Sequence, residues 1–593
     1  MSYQNFREYI RRMKSNNYHR TAGWVTILFA LLTLNAGSVS AYPDSLYSAT
    51  DQEAICEATG EELISLTSDF FPFSLAERAR QSAVGWQGMP PGFLDYWFDN
   101  IPLRNPLWGY WDTQLIPLEF SRKRTVQPAQ HQYRFHSLRP PFSKKPVTRI
   151  AYSQDFGFNM SYFDVDFRVF YKKHSFVRLG GNNYLRKGPY PDYTSTQINT
   201  YRGQIHHYFS DQWNLDLWYQ QFRHRYDIVP WPYYTTAQKV HRVGQLFWIN
   251  IHFSPAPAHR FILTPIVQKW YDHYWKGNYS KQFKTSVLTT GLQGQYRGDF
   301  GPHRIDLIAQ VGQDRILSSL HLREDQRFTA RTTFAWQYRA EHWQITGETG
   351  AYHFQNVGSA PSLSVQFGVQ PYSFLSLSLD AGEKPRSLPL IARFVSTDSI
   401  HALSSPLVPR RRTLTARFNL RFGNWFHISF SPFFHQYFNA PLFHPEKQQF
   451  YQQDLDNSGL QSKMRLQFTH FSMENRCTYS YRNRFFPTVN NVLLIKIPLQ
   501  LFHQALKLEG FGIYHFVDGW KPLEYTPLFN QFYPGTRSEE QYHWLDFKLL
   551  AHIQSATLFF VWTNTLSEDY AIVDNYWEFY RTFRLGIYWT LFD

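Results

Sequence analysis

Two cysteines in 593 residues, Cys56 and Cys477, lie far apart and offer neither a disulfide framework nor metal-ligand spacing. Beyond residue 41 no stretch approaches the roughly 20 apolar residues that a spanning helix requires, so membrane residence would have to be through strands. No Gly-x-Ser-x-Gly elbow or other nucleophile motif is present, which argues against an enzyme, and the chain calls for no cofactor. Twenty-four histidines suggest metal, yet the adjacent pair His206 and His207 face opposite sides of any strand, whereas a single-strand site would use i, i+2 spacing. Acidic residues are outnumbered, for a formal charge of +14, but Lys and Arg are dispersed, with Arg410 to Arg412 the densest run. No nucleic-acid-binding motif accompanies that charge, so it reads as lumen and loop charge that meets anionic lipid heads or selects solutes.

What is abundant is aromatic: 19% of the chain is Phe, Trp or Tyr, while the mean hydropathy is negative. A barrel in a membrane accounts for both, because its outer band is apolar and girdled by aromatics while its lumen and loops are wet. From Val147 onward, segments of about ten residues alternate with period two. Phe163, Val165, Phe167, Val169 and Tyr171 oppose Asp164, Asp166 and Arg168. Phe328, Ala330, Phe334, Trp336 and Tyr338 oppose Thr329, Arg331, Thr333, Gln337 and Arg339. Leu414, Ala416, Phe418, Leu420 and Phe422 oppose Thr415, Arg417, Asn419 and Arg421. A basic side chain facing lipid at mid-depth costs about 2–4 kcal/mol, so Arg331, Arg417 and Arg421 are assigned to the lumen.

Short links at 172–174, 210–212, 254–258, 340–341, 371, 423–424 and 503–504 alternate with long ones at 223–239, 382–412, 437–459, 518–541 and 567–580. Such alternation is that of periplasmic turns and extracellular loops, and it predicts an all-β, antiparallel transmembrane barrel of about 22 strands. The last segment, Phe583 to Asp593, reads as the closing strand, without a soluble tail: Phe583, Leu585, Ile587, Trp589 and Leu591 share a face, with Gly586, Trp589 and Phe592 as candidate assembly-signal positions. At the other end, Arg11, Arg12, Lys14 and Arg20 precede an apolar run from Ala22 to Leu34 and a small-residue stretch ending at Ala41. Residues 1–41 are therefore predicted to be a signal peptide, starting at Met1 or Met13, followed by an N-terminal segment 42–146 and a barrel 147–593. The address is the outer membrane of a Gram-negative bacterium, with outer-membrane lipids and the barrel-assembly machinery as partners and no nucleic acid.

Residues 42–146 do not alternate. They carry an acidic stretch near Glu53 to Glu62, a predicted helix near Leu75 to Gln81, and a Pro- and Trp-rich passage. In that passage Gly88-Met89-Pro90-Pro91 is followed by Asp99-Asn100-Ile101-Pro102-Leu103-Arg104-Asn105-Pro106, then Gly109-Tyr110-Trp111-Asp112 and Leu115-Ile116-Pro117-Leu118-Glu119. Order, spacing and residue type over about 35 positions resemble the plug of TonB-dependent receptors. In that family an Asp-Gly-Ile-Pro-Leu-Asn-like turn and an Ile-Pro-Leu-Glu-like strand follow a glycine-containing repeat. The departures are Gln87 for the usual arginine, Asn100 for glycine, and the missing glycine-rich stretch after Ser121, so the plug reads as reduced. The resemblance implies a 22-stranded barrel obstructed by a plug, a transported or bound solute that the sequence leaves unknown, and an inner-membrane energy-coupling complex, for which Glu61 to Ser65 is a candidate extended segment. Two alternatives stay open: a passive porin-like channel, and a surface-binding barrel that works through its loops.

Overall fold

In the computed structural model the described residues are 59–592, except 76–79, 81, 116–120, 138–139, 158, 188–194, 229–237, 277–280, 320–321, 324, 398–399, 482–483, 503–504 and 579–580. The expected signal peptide lies outside them, as do five of the seven residues of the helix expected from Leu75 to Gln81; the residues just before it, Phe70–Ser74, are a strand.

Twenty-two antiparallel strands close into a barrel, from Val147–Asp155 to Thr582–Phe592, and these two pair in register with Tyr152 opposite Ile587. Alternation decides what each strand shows to which side. Phe163, Phe328, Phe334, Leu414, Phe418, Phe583 and Leu585 are exposed on the outer surface, whereas Asp164, Asp166, Arg168 and Arg584 are buried inside. A surface with this many exposed large apolar side chains requires a hydrocarbon solvent, so the barrel is a membrane barrel. One rim is edged by aromatics at the short turns. Trp213 stacks on Phe253 at 4.4 Å, Tyr338 packs against Trp343 at 4.8 Å and Tyr372 against Phe374 at 5.2 Å.

The opposite rim differs from expectation in one respect. The stretch predicted as a loop between Tyr437 and Gly459 is mostly strand, Phe426–His444 and Gln449–Gln467, with only 445–448 between them. Likewise the strand ending at Ile228 runs past the predicted loop start at Arg223. Beyond the hydrocarbon a strand is wetted on both faces and needs no apolar alternation, so its sequence reads as loop.

Loops of this rim fold back into the lumen. Residues 386–409 carry a short helix, Leu390–Phe394, whose Leu390, Ile391 and Ala392 are buried. The segments after Trp520 and Thr563 supply four short strands, Leu523–Thr526, Gln531–Pro534, Tyr570–Val573 and Tyr576–Glu578, in a small sheet.

The lumen is filled by the N-terminal segment. It comprises α1 (Gly60–Ile64), a hairpin of β1 (Phe70–Ser74) and β2 (Ser82–Trp86), and a four-stranded sheet of β3 (Asp95–Phe98), β4 (Ile101–Leu103), β5 (Ser121–Gln127) and β6 (Gln132–Ser137) in the order β4-β3-β6-β5. The main hydrophobic core joins this segment, inward-facing wall residues and the infolded loops, for example Phe98, Trp218 and Phe529. It is the core of a plugged barrel. Glu61 to Ser65 is not extended: Gly60–Ile64 is helical and buried, capped at its start by the Thr59 hydroxyl and at its end by Ser65.

Candidate functional site: the plug in the lumen

Each motif position of the plug that the structure describes makes a specific contact or turn. Gly88 follows Gln87 in a two-residue hairpin turn in which Trp86 and Met89 exchange backbone hydrogen bonds (3.1 and 2.9 Å) and both central residues have positive φ, 45° and 87°. A Cβ at Gly88 would also lie 1.9 Å from Asn457 Nδ2, so conformation and contact both demand glycine. Asn457 donates to the Gln87 carbonyl at 2.7 Å, and His435 Nε2 lies 2.8 Å from Gln87 Oε1. The residue standing where the family has arginine is thus clamped to the wall.

The turn joining β3 to β4 places its positive φ on Asp99 (49°), a residue type that tolerates it, and not on Asn100. Glycine is therefore unnecessary at 100. Ser137 donates its backbone N–H (2.9 Å) and hydroxyl (2.5 Å) to the Asp99 carboxylate. Burial pushes the Asp99 carboxyl up, and the Ser137 hydrogen bonds offset part of that shift. Ile101 is fully buried, and the carbonyls of Asn100 and Pro102 accept from the wall residues Gln293 and Gln268, both at 3.4 Å.

Asn105, Pro106 and Gly109 form a small loop. Asn105 Oδ1 accepts from Leu107 N–H (2.9 Å), its Nδ2 donates to Asp272 (3.3 Å), and Gly109 N–H donates to the Asn105 carbonyl (2.9 Å). Leu390 of the infolded helix donates its N–H to the Pro106 carbonyl at 2.9 Å, so an outer loop is hydrogen-bonded directly to the plug. Ile116, Pro117 and Glu119 lie outside the described residues.

Of the expected lumen arginines, Arg331 and Arg417 face inward and are partly buried. Arg421 shares their face, but it sits at the rim, exposed, donating to the Gly423 carbonyl (3.1 Å) and to Asn424 (2.8 Å); it braces a turn and does not line the lumen. In the closing strand Gly586 faces inward where a Cβ would lie 2.1 Å from the Phe559 ring, and Trp589 is exposed at the rim with its indole N–H 3.3 Å from Ser555. Phe592 ends the strand opposite Val147. Arg584 makes two 3.1 Å bonds to Glu62 of α1, tying the plug to the closing strand.

Apart from Arg331, sequence reasoning missed the residues that shape the free space. Two chambers flank the plug along one wall, one of about 150 Å³ toward the loops and one of about 170 Å³ toward the short turns. Both are lined by Trp97 and Arg331, and the Arg331 guanidinium lies 4.8 Å from the Trp97 ring centre between them. Asp95 borders the loop-side chamber, bonded to Arg411 at 2.8 Å with Arg386 at 3.7 Å. Burial opposes ionisation there, yet Arg411 and then Arg386 hold the Asp95 carboxyl well below the usual carboxylate range. The one signal available was the run Arg410 to Arg412. Alternation sends Arg411 inward to the plug and leaves Arg410 and Arg412 outside, both on Glu383 (3.1 and 2.7 Å).

Neither a protein-family model nor any curated protein matches the chain. Solved structures do. The FrpB iron transporter from Neisseria meningitidis (F5-1 variant) superposes with a TM-score of 0.75 at 11% identity, over 91% of this chain and 99% of that one. The siderophore receptor PirA from Acinetobacter baumannii gives 0.72 at 9%, over 91% and 97%. The copper transporter OprC gives 0.75 at 9%, over 91% and 96%. At such identities the likeness is one of fold, and over nine-tenths of its length the chain has the 22-stranded barrel fold of TonB-dependent receptors.

Proposed function

We propose that the chain is an outer-membrane receptor and transporter of the TonB-dependent type, which takes a solute from the outer loops and passes it inward when the plug rearranges. The observation that carries this reading is the plug's seat: strands β1 to β6 lie within the barrel, hydrogen-bonded to the wall at Gln87, Asn100, Pro102 and Asn105 and to an infolded loop at Pro106. A structure closed in this way passes nothing large without a driven movement. The fold neighbours include proteins described as iron and copper transporters and a siderophore receptor, which supports transport over catalysis. Energy would come from an inner-membrane coupling complex, for which Glu61 to Ser65 is not presented as an extended segment because it is committed to α1. Insertion would depend on the barrel-assembly machinery acting on the closing strand, with residues 1–41 removed on export. A passive porin is the weaker reading, because Arg331 over Trp97 divides the free space into two chambers.

The test needs no known solute. Gram-negative cells expressing the full chain are expected to remain resistant to a large antibiotic such as vancomycin, and cells expressing the chain without residues 59–138 to become sensitive. Equal sensitivity with both forms would support the porin reading instead.

A further inference from the structure

Lumen charges in this barrel are generally matched. Arg202 meets Asp164 at 2.6 Å, Arg178 meets Asp166 at 2.7 Å, Arg242 meets Asp272 at 2.8 Å and Lys463 meets Glu474 at 2.9 Å. The two chambers break that pattern. In the loop-side chamber the carboxylates are Asp95 and Asp314. Asp95 already serves Arg411 and Arg386, and Asp314 serves Arg327 and Arg104, the latter at 3.9 Å. In the turn-side chamber the carboxylates are Asp306 and Glu348, taken by Arg297 at 2.7 Å and Lys384 at 3.6 Å.

Every carboxylate lining either chamber is thus bound to a cation, and two arginines are left over. Arg331, which lines both chambers, has no carboxylate within ion-pair distance among the described residues, and its Nε is buried without a hydrogen-bond partner. Arg134, on β6 and lining the turn-side chamber, donates to Gln132 at 2.8 Å and likewise has no carboxylate partner among the described residues. Both guanidinium groups lie over the same ring, Trp97, at 4.8 and 5.3 Å. Cation–π contact offsets only part of what an unpaired, half-desolvated charge costs. Ionisable residues inside a membrane protein that face the interior mark pathways for ions and solutes. Burial, with Arg331 and Arg297 nearby and Glu348 and Asp99 opposing, pulls Arg134 down to about 10.

We propose that the two chambers bind a small polyanion, one bearing carboxylate or phosphate groups, with Arg331 as the bridging contact between Arg104 and Arg386 on the loop side and Arg134 on the turn side. Binding stands on the charge count; that the anion passes from one chamber to the other rests on the transport reading above. Size agrees with a small solute, since each chamber is below the roughly 300 Å³ at which drug-sized ligand pockets begin. Arg331 and Arg134 are positioned to exchange their contact with the Trp97 face for a charge-assisted hydrogen bond to an incoming oxygen.

The test is calorimetric titration of the purified full chain with citrate, pyrophosphate, glucose and spermidine. Citrate or pyrophosphate should bind and the neutral and cationic probes should not; citrate alone assigns a carboxylate solute and pyrophosphate alone a phosphate one. Arg331→Gln and Arg134→Gln should each weaken that binding about tenfold, the order expected on losing one charge-assisted hydrogen bond. Arg331→Lys should keep part of it, Arg421→Gln all of it, and circular dichroism should show an unchanged barrel in each. Anion binding indifferent to Arg331→Gln and Arg134→Gln, or binding of spermidine in place of the anions, would overturn the proposal. If the anions bind as described while plug-deleted cells gain no antibiotic sensitivity, the transport reading falls and this one stands. If sensitivity appears and no anion binds, this one alone falls.

Discussion

The two sides of the plug meet very different walls. On one side Phe98 packs edge-on against Trp218 at 5.0 Å and Trp248 at 6.0 Å, and Trp111 against Phe222 and Trp270 at 5.9 and 5.6 Å. On the other side the inward positions are small or polar, among them Gly291, Gly312, Thr329 and Thr333, and the chambers open there. Interdigitated aromatics fix a position, whereas small polar side chains leave room and water. The contrast teaches a division of labour: the aromatic wall holds the plug and the polar wall leaves a route past it.

The sharpest way to break this comparison is to empty one wall and then the other. Trp218→Ala should cost about 3–5 kcal/mol of plug docking, as buried aromatic truncations do. Thr329→Ala, on the chamber wall, should stay within about 0.5 kcal/mol. Amide exchange of β3 and β4 reads both, and equal deprotection by the two substitutions would erase the distinction. A smaller effect is expected at Gly88, where alanine adds about 1–3 kcal/mol of backbone strain at positive φ together with the Asn457 clash. Adding Asn457→Ala should relieve the clash but leave the strain and remove the bond to the Gln87 carbonyl, so β1–β2 protection should return only in part.

Two plug carboxylates four residues apart sharpen the comparison further, because their pH responses have opposite sign. Asp95, beside the chamber, has a folded pKa depressed by Arg411 and Arg386 against burial, so its contribution is present above the unfolded carboxylate range and lost as pH falls through the folded value. Asp99, nearer the aromatic wall, has a folded pKa raised by burial, so the folded plug binds its proton more tightly and stability drops as pH rises from the unfolded value of about 3.9 through the folded one. Plug protection measured against pH should therefore lose its acid-side fall in Asp95→Asn and its fall with rising pH in Asp99→Asn. Matching profiles in the two variants would contradict the assignment. Least of all is expected from Arg421→Gln, within about 0.5 kcal/mol, because that guanidinium only braces an exposed turn.

Period-two alternation and turn spacing made the barrel, its strand number and its closing strand legible, because lipid on one side and water on the other impose a pattern that survives without any motif. Strand ends such as Arg223 to Ile228 and Gln449 to Gly459 were illegible for the converse reason, since above the membrane both faces are wet. The plug's turn residues, Gly88 and Asp99 among them, could be named because backbone conformation restricts the residue types they accept. What alternation cannot report is pairing. It sent Arg331 inward correctly but could not tell that Asp314 and Glu348 nearby were already taken, and it gave the same face to Arg421, whose depth at the rim changes its role. Glu61 to Ser65 looked free for a partner because the contact that commits it, Glu62 to Arg584, spans more than five hundred residues of sequence.

In this structure residues 59–138 plug and close the barrel. Ion current through the purified chain in planar bilayers tests this closure most directly. The full chain should carry almost none, and the chain without residues 59–138 should conduct steadily as a wide pore. A full chain that already conducts as well as the deleted form would contradict the account.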